Sequence, residues 1–127
     1  MYRTILAIAA INGLIAVVLG AYGAHGLKPE LSAKLWSAYS TANQYHFYHS
    51  LALLALAAFA AVKAWPKLMW IAWGWQLGIL LFSGSIYALA LGAPSWVGPI
   101  TPLGGLTLMM AWGLLIQQAF SNKDVKN

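Results

Sequence analysis

Four runs of about 20 predominantly apolar residues, at 4–24, 45–62, 68–91 and 102–120, constrain this chain more than any other feature of its sequence. At about 1.5 Å of helical rise per residue, each run is long enough to cross a hydrocarbon core of roughly 30 Å. The runs predict an all-α membrane protein, a four-transmembrane-helix bundle in which residues 1–127 form one integral membrane domain. Composition agrees: the chain is 61% hydrophobic and 7% charged, where soluble domains carry about 25% charged residues.

The first run also has the outline of a signal peptide, with Arg3 before it and the small-residue stretch "AYGA" at its end. Its apolar stretch exceeds the roughly 7–15 residues of a signal core, so an uncleaved helix is the expectation. Seven Lys/Arg against two Asp/Glu give a net charge of +5, but the basic residues stand singly near the ends of the apolar runs. They mark topology rather than a nucleic-acid-binding patch. Arg3, Lys63, Lys67, Lys123 and Lys126 fall on one side of a four-span chain and Lys28 and Lys34 on the other. The positive-inside rule then places both termini of this multi-pass chain in the cytoplasm.

Between the first two runs, Glu30, Lys34, Ser37 and Thr41 share one helical face, and Leu31, Leu35, Ala38 and Ala42 the opposite one. With Pro29 suited to a first turn, and Trp36 and Tyr39 to the headgroup level, residues 29–42 predict a short interfacial amphipathic helix. A continuation of the second span, bent near Asn43, fits the same spacing. The outer loop of Gly92 to Gly105 holds Pro94, Pro99 and Pro102 and no charge, which predicts that it folds back over the bundle. Thr101 and Pro102 suit the N-cap and first turn of the fourth helix.

In lipid, helices are held by close backbone approach and by interhelical hydrogen bonds. Candidate packing residues are Gly74 and Gly78, spaced GxxxG, the stripe of Ala16, Gly20 and Ala24, and the polar Asn12, Gln76, Ser83, Ser85 and Thr107. Ordinary packing inside the chain and a seam between copies both use such stripes. The small size of a four-span bundle points to a homo-oligomer surrounded by membrane lipids.

The polar residues that invite a functional reading gather near the outer ends of the spans. Tyr45, His46, His49 and Ser50 share a stripe on the second helix, and the first delivers Tyr22 and His25. The third brings Ser83, Ser85 and Tyr87, and the fourth starts at Thr101. This predicts an outer-leaflet His/Tyr/Ser cluster, read in three ways. It braces the fold; it holds a lipid headgroup or small polar ligand; or His25, His46 and His49 bind a metal, for which Glu30 is the one further ligand on offer where zinc sites usually add Cys or acidic residues. No cofactor is expected. Without cysteine there is no thiol chemistry, and no Ser-His-acid set, HExxH or phosphate-cradling loop appears, so an enzyme is disfavoured and a His-based acid-base site is the one enzymatic reading left open. The only carboxylates, Glu30 and Asp124, lie outside the spans, which disfavours an exporter built on a buried acid. The alternative is a small transporter or channel with the cluster as its periplasmic gate.

Four stretches, "GAYGAHGLK" (20–28), "YHFYHSLALL" (45–54), "GSIYALALG" (84–92) and "GPITPLGG" (98–105), resemble the YgdD/YwdK-like family of small bacterial inner-membrane proteins, related to a small eukaryotic transmembrane protein. The resemblance covers nearly the whole chain, in order. It implies a four-span inner-membrane architecture and supplies no catalytic residues.

Overall fold

The structure is a computed structural model and describes residues 1–121. Helix α1 (Tyr2–Tyr22) continues into a wide π-helical turn (Gly23–Leu27) and a 3-10 turn (Lys28–Glu30). Helices α2 (Ala33–Val62), α3 (Leu68–Ala90) and α4 (Ile100–Ser121) follow, with a 3-10 turn at Ser95–Val97. Among the described residues there is no strand, and four helices are long and apolar enough to cross a membrane. The all-α, four-span expectation therefore holds.

The separate interfacial helix does not form. Ser32, in extended conformation, caps α2 by accepting a hydrogen bond from the Leu35 N–H at 3.1 Å, and the helix then runs unbroken through Asn43. Its 30 residues make it about 45 Å long. Pro29 lies before this start, in the 3-10 turn. Long-range contacts keep residues 33–42 upright: Tyr39, 1% exposed, donates its hydroxyl hydrogen to the Leu19 carbonyl of α1, and Ala42 is fully buried. At Gly23 the chain passes so close to the Tyr39 ring that a Cβ would collide with it.

Helix α3 ends on a Schellman motif. Gly92 takes a positive φ of 103°, its N–H donates to the Leu89 carbonyl at 3.2 Å, and the Ala93 N–H donates to Ala88 at 2.9 Å. The proline-containing loop packs back on α3 and α4 through the buried Val97. Helix α4 begins at Ile100, so Thr101 lies inside its first turn rather than at the N-cap, and Pro102 sits where a missing N–H costs no helical bond.

Each helix packs on its neighbour in sequence, and α1 and α4 lie at opposite edges with at most marginal contact. The GxxxG stripe serves packing within the chain, as Gly74 faces Ala111 and Gly78 faces Leu108 of α4. Gly20 of the first stripe likewise faces Asn43 of α2. Leu14, Val18, Met109 and Met110 point outward, as side chains bathed in lipid do.

Candidate functional site

A continuous chain of hydrogen bonds crosses three helices at the heart of the bundle. Asn12, on α1, donates through Nδ2 to the Ile8 carbonyl at 2.8 Å and to Gln76 Oε1 on α3. The carbonyl of Ile8 can only accept, which fixes the amide and turns Asn12 Oδ1 toward His46 Nε2, 3.0 Å away. His46 Nε2 therefore carries the hydrogen. Its Nδ1 is left as the acceptor for the Tyr87 hydroxyl at 2.9 Å, and Tyr87 Oη accepts from Asn43 Nδ2 at 3.1 Å. Asn43 Nδ2 also reaches the Ala16 carbonyl at 2.9 Å, closing the chain back onto α1. His46 is 3% exposed, and Tyr87 and Asn12 are also buried.

One turn on, His49 is built the other way round. Its Nδ1 donates to the Tyr45 carbonyl at 2.8 Å, and its Nε2 accepts from Trp112 Nε1 of α4 at 2.9 Å. The ring meets Trp75 and Trp112 edge-on. Two histidines on one helix thus take opposite neutral tautomers, each set by partners on other turns and helices. Both nitrogens of both rings are used within the chain.

Of the remaining candidates, Ser83, Ser85 and Thr101 join helix pairs. Ser83 donates to the Ala42 carbonyl of α2 at 2.7 Å, and Ser85 pairs with Thr101 of α4. Ser50 donates to the His46 carbonyl in its own helix at 2.8 Å. Tyr45 is 42% exposed and lies against Phe82 and His49.

Two expectations need correcting. The cluster is not confined to one end of the helices: Ser85 pairs with Thr101 in the first turn of α4 and Tyr87 stands near the end of α3, but His46 bonds Asn12, the middle residue of α1, and His49 bonds Trp112, near the middle of α4. The apolar run from residue 45 looks like the top of a span, but α2 starts 12 residues earlier, at Ala33. Nor do the three histidines converge. Tyr22 is exposed at the last residue of α1 and His25 on the turn beyond it, and among the described residues no group of three His, Cys, Asp or Glu is placed to hold a metal. Sequence reasoning also passed over the partners that complete the network, Asn43 and Trp112. Neither carries a local signal beyond being polar-tipped within a helical run.

A groove of about 380 Å³ lies between α1 and α3 beside this network. Its walls are Ile11, Ile15 and Leu80, and Asn12, His46 and Gln76 contribute to its lining.

Residues 19–105 match the model of a family described as a protein of unknown function, DUF423. The chain belongs to that family. It is 38% identical over 121 residues to UPF0382 membrane protein SSP2132 of Staphylococcus saprophyticus, covering 93% of this chain and 98% of the relative. UPF0382 membrane protein YwdK of Bacillus subtilis is 38% identical over 118 residues, 92% of this chain and 96% of its own. A UPF0382 membrane protein of Haemophilus influenzae is 38% identical over 126 residues, 98% and 100% of the two chains. The resemblance to YwdK-like proteins is thereby shown, and the chain, like these family members, is a membrane protein. No solved structure matches it. The family match takes in His46, His49, Ser83, Ser85, Tyr87 and Thr101, while Asn12 and Trp112 fall outside it.

Proposed function

We propose that this protein is a non-enzymatic integral membrane protein of the bacterial inner membrane, and that its central His/Tyr/Asn network braces the bundle rather than binding a ligand. The supporting observation is that His46 and His49 spend all four ring nitrogens on protein partners from α1, α2, α3 and α4. A headgroup, solute or metal would have to displace one of these bonds, inside hydrocarbon where a freed polar group finds no water. Interhelical bonds of this kind contribute about 0.6–2 kcal/mol each, enough in sum to fix which helix faces meet. Both termini lie in the cytoplasm on this reading. Arg3, Lys63 and Lys67 stand at the end of the bundle where α1 begins and α2 meets α3, and Lys28 and Lys34 at the other end. Lys123 and Lys126 lie outside the described residues.

The test combines thermal unfolding with native mass spectrometry, comparing the detergent-extracted protein with a His46→Ala/His49→Ala variant. Bracing predicts a lower unfolding temperature and the same mixed lipid on both. A defined small-molecule adduct kept by the wild type and lost by an equally stable variant would make the cluster a binding site. Solute flux in proteoliposomes that vanished with His46 while the fold persisted would make it a gate.

A further inference from the structure

The outward face of α2 carries polar groups at a depth where lipid-facing helices avoid them. Ser37, Thr41, Gln44 and Tyr48 recur at i, i+4, i+7 and i+11, so they share one face, and all four are exposed. Their depth follows from their neighbours. His49 bonds α4 near its middle, so Tyr48 beside it lies near the centre of the bundle's length, while Asn43 reaches the Ala16 carbonyl and meets Gly20, which puts Gln44 about one turn nearer the end where α1 finishes. At this level the side-chain hydrogen bonds of α2 come from Asn43, His46, His49 and Ser50. Among the described residues, the Gln44 amide and the Tyr48 hydroxyl have no partner. Tyr48 is 58% exposed. A bare primary amide facing hydrocarbon is costly.

We propose that this face of α2 is a self-association surface, on which Gln44 of one copy hydrogen-bonds Gln44 of a second. Copies inserted in the same orientation are related by an axis along the membrane normal, so each residue meets its counterpart at its own depth. A primary amide both donates and accepts, and two of them across a two-fold axis satisfy each other reciprocally. That self-complementarity selects a second copy of this chain over an unrelated partner. The surface also has room for a neighbouring helix: a shallow groove of about 250 Å³ runs beside Gln44, with Gly20, Ala24 and Ser40 among its lining. The same face toward the other end of α2 is Leu51, Ala55 and Val62, ordinary lipid-facing residues, so the contact is confined to the polar half.

The chain has no cysteine, which makes the test direct. A Thr41→Cys variant in native membranes at low expression, treated with a mild oxidant, is compared with Met110→Cys on the lipid-facing side of α4. Disulfide formation requires Cα atoms within about 7 Å, which the proposed two-fold contact brings about at position 41 and not at position 110. The expected result is a cross-linked dimer from Thr41→Cys alone, lost to the Met110→Cys level when Gln44→Leu is added and reduced by Tyr48→Phe. Both added changes are at exposed positions, and an unchanged unfolding temperature of the monomer confirms that the fold is intact. No cross-link at position 41, or one that survives Gln44→Leu undiminished, overturns the proposal.

Discussion

His46 Nε2 lies 3.0 Å from Asn12 Oδ1, and that contact fixes where the imidazole keeps its hydrogen. Because His49 directs Nδ1 at a backbone carbonyl, the two rings are held in opposite tautomers one helical turn apart. Nitrogen-15 spectra of the histidine-labelled protein in bilayers are expected to show His46 protonated at Nε2 and His49 at Nδ1. The same tautomer at both would mean that the amide of Asn12 or the indole of Trp112 is turned away.

Asn12 joins α1 to both α2 and α3, so its loss is felt on two sides. An Asn12→Leu substitution leaves the buried His46 Nε2–H and the half-buried Gln76 Oε1 without their partners. We expect destabilisation of about 1–3 kcal/mol, the cost of stranding buried polar groups, measured by unfolding in mixed micelles. Leu14→Ala, two residues away on the exposed face, serves as the comparison and should have a much smaller effect.

The identity of the polar residues was legible in the sequence and their depth was not. Helical spacing grouped Tyr45, His46, His49 and Ser50, and topology brought Tyr87 toward them. What misled was the polar stretch before residue 45, which resembles a surface helix because its partners are remote: Tyr39 is anchored by Leu19 and Asn43 by Ala16. With α2 extended upward by those contacts, its histidines move down to mid-bundle. His25 went the other way, carried beyond α1 on the π-helical turn.

Among the described residues α2 and α4 share one side-chain hydrogen bond, and its two rings, His49 and Trp112, meet edge-on. Trp112 Nε1 donates to His49 Nε2 at 2.9 Å, while the Trp112 ring lies 4.6 Å, centroid to centroid, from Trp75. Trp112→Phe keeps an aromatic ring beside Trp75 and removes the donor. A double-mutant cycle with His49→Leu is expected to give a coupling of about 0.5–2 kcal/mol, the range for interhelical hydrogen bonds in lipid. A coupling near zero would show that the Trp112–His49 hydrogen bond contributes nothing to stability and that packing on α3 holds α4 here.

Orientation can be read with single cysteines, since the chain supplies none of its own. With the termini in the cytoplasm, Lys34→Cys should react with a membrane-impermeant maleimide in intact cells, and Lys63→Cys only after the membrane is opened. The reverse pattern would invert the proposed topology and leave the fold untouched.

Two glycines of α4 should respond in opposite ways to the same change. At Gly104 a Cβ would fall onto the backbone of Leu81 and Phe82 in α3, where no side-chain rotation relieves it, so α3 and α4 must move apart. At Gly113 a Cβ meets nothing within 4 Å. Neither residue belongs to the GxxxG stripe that the sequence displays, because the point of closest approach is set by how the helices cross. Gly104→Ala is therefore expected to destabilise the protein by about 1–3 kcal/mol, the usual cost of overpacking. Gly113→Ala should be neutral or stabilising by up to about 1 kcal/mol, as alanine is the better helix former. Unfolding midpoints that moved together would place the α3–α4 contact away from Gly104.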